Sequence, residues 1–296
     1  MKQACRVWKG MGIMDRKAIA RETLAIIEQG YYELPIKRVM TLEPDIEKKR
    51  VEIKQELAKS IQDSILISPK QAEEIRRKYR IQRCEQPNTR VENISTVDAI
   101  HILSREGKEG IGVLNFASAK NPGGGFLNGA MAQEESLAAS STLYPTLTAH
   151  ETYYQENRSH RSMMYLDYAI YSPNVLFFRD GAFQLTDCQK ASVLTLPAVN
   201  MGQVILKGES EEEAKCRMRK RMKLALGIFA EQGARHLILG AYGCGVFRND
   251  PKEVATWWKE ILKEGMGKYF DSVFYAVLDR TKEQNCINTF RSIFGE

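Results

Sequence analysis

Residues 110–135 read GIGVLNFASAKNPGGGFLNGAMAQEE. GIGVLNFA is a continuous apolar run, the pattern of a strand buried on both faces. It leads straight into Asn121-Pro122-Gly123-Gly124-Gly125. Three glycines without Cβ atoms let a backbone come close to an anion or a sugar. Gln133-Glu134-Glu135 then opens a helix expected over 133–143. Strand, glycine loop and helix in that order are the repeating unit of an α/β protein, whose ligands bind beyond the carboxyl ends of strands.

A second unit of the same kind lies downstream. HLILGAY (236–242) is another buried strand, and Gly243-Cys244-Gly245-Val246-Phe247 follows it. Asn249 and Asp250 then open a helix at Pro251. Glycine-turn N–H groups backed by a helix N-terminus suit a phosphate or diphosphate. Between and around these units the pattern predicts strands at 90–94, 168–179, 191–199 and 273–278. It predicts helices at 96–106, 210–232, 251–264 and 281–294, with Ser95 capping the first and Gly107 ending it. The expected sheet is mixed or mostly parallel and covered on both faces. Residues 91–296 form that unit. Residues 1–90 read as an accessory layer: a helix over 15–29 stopped by Gly30, a strand near 49–54, and a helix over 69–80 after Ser68-Pro69.

Bulk composition is that of a soluble globular chain of 296 residues. A net charge of +6 is compatible with an anionic ligand but is no nucleic-acid signature, so direct DNA binding is not expected. No apolar run approaches membrane-span length, and the N-terminus lacks the apolar core of a signal peptide. Met11 and Met14 are alternative starts, and the first dozen residues are expected to be poorly ordered. Six scattered cysteines (5, 84, 188, 216, 244, 286) form no CxxC pair or Cys/His cluster. That argues for reduced thiols in the cytoplasm and against a metal site.

The chemistry rests on carboxylates. Helical neighbours point about 100° apart, so Glu134 and Glu135 should face different atoms. Acids in a first helical turn are common and worth tenths of a kcal/mol; the adjoining glycine run favours a functional reading. The four histidines (101, 150, 160, 236) lie outside both loops. No GxSxG elbow, no Gly-Lys-Ser/Thr phosphate loop and no GxGxxG fingerprint is present. Cys244 reads as a residue of a tight turn rather than a nucleophile. The cations of 217–223 read as the solvated face of an amphipathic helix, and Tyr153-Tyr154 have no assigned role.

At the two loops the chain resembles a macrodomain, specifically the bacterial-type poly(ADP-ribose) glycohydrolase family. The resemblance is carried by 114–137, SSTLYPTL (140–147), YSPNVLFFRD (171–180), LPAVN (196–200), GAYGCGVFRNDP (240–251) and the leading RKAIARETLAIIEQGYY (16–32). Ala138-Ala139 depart from the bulkier or basic residues expected after Gln-Glu-Glu. The resemblance implies a three-layer α/β/α fold with a mixed central sheet plus the N-terminal helical layer. It implies ADP-ribose or its polymer as ligand, free or attached to protein, with no cofactor and no metal. Glu135 would be the catalytic acid/base, and Glu134 would hold the ribose beside the scissile bond. Asn121 would contact that ribose, Gly123, Gly124 and Gly125 would curve around it, and Gln133 would join the substrate-binding set. Gly243, Cys244, Gly245 and Val246 would give N–H groups to the diphosphate, and Phe247 would pack on the terminal ribose. The implied reaction is hydrolysis of ribose–ribose O-glycosidic bonds from chain ends, with the N-terminal layer closing over the distal adenosine. It needs a raised Glu135 pKa, from partial burial and from Glu134. Two other readings are a mono-ADP-ribosyl hydrolase acting on protein or nucleic acid and a non-catalytic ADP-ribose reader.

Overall fold

The computed structural model describes residues 15–35, 48–79 and 85–295. The candidate starts Met11 and Met14, the first dozen residues, Cys5 and Cys84 lie outside them. The first elements in chain order are α1 (Arg16–Gln29), β1 (Tyr31–Pro35), β2 (Lys48–Glu52), α2 (Lys54–Gln62), β3 (Ile65–Ile67) and α3 (Pro69–Lys78). Next come β4 (Asn88–Glu92), α4 (Thr96–Arg105), β5 (Ile111–Phe116), α5 (Gln133–Ser140), α6 (Leu143–Thr148) and α7 (Glu151–Ser159). After these follow β6 (Ala169–Arg179), β7 (Leu185–Leu196), α8 (Met201–Leu206) and α9 (Glu211–Glu231). The chain continues through β8 (His236–Leu239), α10 (Pro251–Lys263), β9 (Ser272–Ala276) and α11 (Asn285–Phe294).

Seven strands form one mixed sheet in the order β3-β6-β7-β5-β8-β9-β4. From β7 to β4 neighbours run parallel, while β6 is antiparallel to both β3 and β7. Alternation along each strand divides the core between two faces. Leu114, Leu194, Leu237 and Tyr275 meet α8, α9, α10 and α11 on one side. Val113, Val193, Ile238 and Phe274 meet α4, α5, α6 and α7 on the other. The chain is thus the three-layer α/β/α architecture with a mixed central sheet.

Several boundaries differ from expectation, each for a local reason. The helix predicted over 133–143 breaks at Ser141, which is extended and bridges Phe177 of β6. Thr142 N–H then donates to Leu176 O at 3.0 Å, and α6 starts afresh. The strand predicted over 191–199 begins at Leu185, because β6 and β7 form one long hairpin. The last helix begins at Asn285 rather than 281. Asp279 Oδ2 accepts from Cys286 N–H at 2.9 Å and so receives the first turn.

The N-terminal region reaches the main sheet in several places. β3 adds an edge strand to β6, a contribution that the three apolar residues Ile65-Leu66-Ile67, set in a polar stretch, were too short to suggest. β1 and β2 make a separate hairpin whose Tyr32 and Leu34 pack on Leu176 and Phe178. Asp15 caps α1 through Lys17 N–H and Ala18 N–H, and Gly30 ends it at φ 80°. α1 buries Ala20 against Phe126, Ala138 and Ala139. The two small alanines let the helices approach closely enough for Thr23 Oγ1 to donate to Ala139 O at 2.6 Å. α1 therefore packs beside the first glycine loop, at the Glu135 end.

Candidate active site

Both glycine loops leave the carboxyl ends of adjacent parallel strands, β5 and β8. Pairing between those strands stops at Val113 and Ile238. The Gln133 amide takes over the freed edge of β5: Phe116 N–H donates to Oε1 at 2.9 Å, and Nε2 donates to Leu114 O at 2.9 Å. Gln133, expected among the substrate contacts, has its amide engaged by the backbone and so locks α5 to β5.

That lock aims the two carboxylates. Glu134 points inward and is 3% exposed. Its Oε2 accepts from Ser118 N–H at 2.7 Å, and its Oε1 accepts from Asn115 Nδ2 at 3.2 Å. Burial raises its carboxyl to about 8, and the charge of Glu135 adds to that, against the hydrogen bonds from Ser118, Asn115 and Gly123. The partial burial expected of Glu135 is present, and full enclosure falls on its neighbour Glu134.

Glu135 is only partly buried and lines a small cavity with Arg16, Phe126 and Phe183. Its Oε1 accepts from Gly125 N–H at 2.9 Å and its Oε2 from Ala132 N–H at 3.0 Å. Gly123 and Gly124 are left-handed at φ 66° and 60°. A Cβ on Gly124 would collide with Glu135 Oε1 and stand 3.1 Å from Glu134 Oε2. The carboxylates diverge, as helical geometry requires, yet both close on the same glycine. Asn121 is exposed at the head of the run, its N–H donating to Ser118 Oγ at 3.1 Å.

In the second loop Gly243 is left-handed at φ 73°, and a Cβ there would stand 2.6 Å from Asn249 Nδ2 and 2.7 Å from Ala198 Cβ. Asn249 Nδ2 holds Gly243 O at 3.0 Å and Val199 O at 2.8 Å. Gly245 differs, since a Cβ there would meet open space. Among the described residues no neighbour requires glycine at 245, which suits the close approach of a ligand. Cys244 N–H closes the turn on Ala241 O at 3.1 Å. Among the described residues, the loop N–H groups without a protein acceptor are those of Gly243, Gly245, Val246 and Phe247. Burial pushes the Cys244 thiol far up, consistent with a turn residue rather than a thiolate. Val246 is 83% exposed, and Phe247 is half-buried with its ring 6.1 Å from Tyr165.

Sequence reasoning missed Asn115, Ser118, Arg16 and Phe183. Asn115 carried a readable signal, as an amide inside an otherwise apolar buried strand; the other three did not. Three of the four histidines bond elsewhere: His101 to Arg179 O, His150 to Ser64 and His236 to Ser272. Among the described residues no group of three His, Cys, Asp or Glu side chains could hold a metal ion.

Residues 20–180 match the family model described as microbial-type PARG, catalytic domain. The crystal structure of poly(ADP-ribose) glycohydrolase (PARG) from Thermomonospora curvata is 34% identical, covering 94% of this chain and 99% of that one, with a TM-score of 0.85. A structure of that enzyme bound to the inhibitor ADP-HPD is also 34% identical, covering 94% of this chain and 98% of that one, with a TM-score of 0.84. The enzyme from Deinococcus radiodurans in complex with ADP-ribose is 41% identical over 80% of this chain and 96% of that one, with a TM-score of 0.75. No curated protein matches the chain.

Proposed function

This chain belongs to the microbial-type poly(ADP-ribose) glycohydrolase family, and we propose that it hydrolyses ribose–ribose O-glycosidic bonds of poly(ADP-ribose) to release ADP-ribose. One observation carries this reading. A glycine loop closes on two carboxylates of unlike burial at the end of β5, and a loop with free N–H groups stands at the end of β8. The second loop would take the diphosphate. Gly123 to Gly125 would wrap the terminal ribose, with Asn121 and Phe247 against it.

In this reading Glu135 is the acid/base, because its carboxylate lines a cavity while that of Glu134 is enclosed by Asn115 and Ser118. Protonated Glu135 donates to the departing 2′ oxygen. The sugar passes through an oxocarbenium-like state, and ionised Glu135 then takes a proton from the attacking water. Glu134, neutral at neutral pH, holds the loop and the ribose side of the bond. We place the cut at chain ends, since the second loop offers donors for one diphosphate. We place the activity in the cytoplasm, with free thiols at Cys188, Cys216, Cys244 and Cys286. Among the described residues no helix is long and apolar enough to cross a membrane.

The test is product analysis on poly(ADP-ribose) beside a singly ADP-ribosylated protein. Free ADP-ribose from the polymer supports the reading. Release from the singly modified protein alone would replace it with a mono-ADP-ribosyl hydrolase. Binding without release from either would make the chain a reader, and abundant products of two or more units would overturn chain-end cleavage.

A further inference from the structure

Ser118 stands where β5 gives way to the first glycine loop, and its N–H, hydroxyl and carbonyl are all engaged. The N–H donates to Glu134 Oε2 at 2.7 Å. The Oγ accepts from Lys120 N–H at 3.2 Å and from Asn121 N–H at 3.1 Å. The carbonyl accepts from the Tyr153 hydroxyl at 3.4 Å. Two residues on, the Lys120 carbonyl accepts from Arg158 Nε at 2.8 Å. Gly124 N–H donates to Asn121 O at 3.0 Å, so the same turn sets where the glycine run begins.

Tyr153 and Arg158 both belong to α7, and they reach carbonyls on either side of the Ser118 turn. The helix is a firm base for this. Tyr153 is fully buried, in edge contact with Tyr154 at 4.6 Å and in one apolar cluster with Leu137 of α5 and Leu147 of α6. The fully buried Asn157 ties α7 to the following loop, its Nδ2 donating to Tyr153 O and its Oδ1 accepting from Leu166 N–H, both at 2.9 Å. Arg158 is exposed and, among the described residues, has no carboxylate partner. A solvated cation keeps its rotamer freedom; this one gives it up to hold a loop carbonyl 38 residues away in sequence.

We propose that Tyr153 and Arg158 are positioning residues for the glycohydrolase site, α7 acting as a strut that fixes the Ser118–Asn121 turn and, through it, Glu134 and Asn121. This inference rests on the glycohydrolase reading and goes beyond it, since neither side chain has to touch substrate. A turn held from behind keeps the sugar in one reacting geometry, and a small misplacement there lowers rate more than affinity.

The experiment measures kcat and KM on poly(ADP-ribose), ADP-ribose affinity and urea unfolding on the same proteins. It uses wild type, Arg158→Ala, Arg158→Lys, Tyr153→Phe, Ser118→Ala and the Arg158→Ala/Ser118→Ala double variant. Arg158→Ala should lower kcat about tenfold, with KM and ADP-ribose affinity within about threefold. Arg158→Lys keeps a donor and should recover most of that loss. Tyr153→Phe should lower kcat by a smaller factor, because its bond is longer. The double variant should lose less than the product of the two single losses, because both act on one turn. An unchanged kcat in Arg158→Ala, with or without lower stability, would make α7 a structural brace only and overturn the proposal. A raised KM that closes with rising salt would make Arg158 a direct phosphate contact and overturn it equally. Arg158 lies at the surface, so its variants keep the test open if Tyr153→Phe fails to fold. A wild type inactive on the polymer would overturn the glycohydrolase reading, and this inference with it.

Discussion

Glu134 and Glu135 are neighbours in sequence with opposite environments, and the difference is measurable. Glu134 rises from an ordinary 4.5 to about 8 in the folded chain. The folded state therefore keeps its proton while the unfolded chain loses it, so this group's contribution falls as pH climbs from about 4.5 to about 8 and levels off above. Wild type should lose on the order of a few kcal/mol of unfolding free energy between pH 5 and pH 8 that Glu134→Gln does not lose. Parallel urea titrations at the two pH values check this; equal slopes would contradict the burial argument. Gly124→Ala tests the same site from the other side. Strain at φ 60° and the collision with Glu135 should cost about 1–3 kcal/mol and most of the activity. The Gly-Gly-Gly and Gln-Glu-Glu residues were legible because glycines and paired acids are conspicuous in sequence. Which acid is buried was not, since that depends on how Gln133 turns α5 against β5.

The helix α1 was legible from its apolar period and its Gly30 stop, but its docking partner was not. Docking depends on Ala138 and Ala139, which look like a departure in the sequence and act as clearance for α1 in the fold. The buried bond from Thr23 Oγ1 to Ala139 O secures the contact. Thr23→Val should leave that helix-end carbonyl unpaired and lower stability by about 1–2 kcal/mol, read by thermal or urea unfolding. No loss would mean that the bond contributes nothing and that apolar contact and the Glu22–Arg179 ion pair hold α1. Strand β3 was not legible, because three residues of a short edge strand give too little pattern and only pairing with β6 defines them. The split of α5 from α6 was hidden for a related reason: the Ser141 bridge to Phe177 is a contact of long sequence separation.

At the scale of the molecule, the alternation of strands and helices after residue 90 was enough to read three layers, and the comparisons agree with that architecture. What ties the N-terminal region to it was not visible in sequence. Arg221 of α9, fully buried, donates to Met164 O, Pro197 O, Tyr165 O and Asp167, and Arg76 of α3 binds the same Asp167. Burial by itself would raise Asp167, but the two guanidinium charges override it and hold the carboxyl below its usual range. The cations of α9 were read as a solvated face, and Arg221 is the exception. Arg221→Met should destabilise the chain by about 3–5 kcal/mol by leaving Asp167 without its buried partner, as unfolding titrations would report. The central claim is that Glu135 does the chemistry, and its most direct test is free ADP-ribose released from poly(ADP-ribose) by wild type beside Glu135→Gln, with ADP-ribose binding measured on both. Wild type should release ADP-ribose and the variant should retain binding while losing about 10²–10⁴ in rate. Near-normal release by a folded, ligand-binding Glu135→Gln protein would contradict the account.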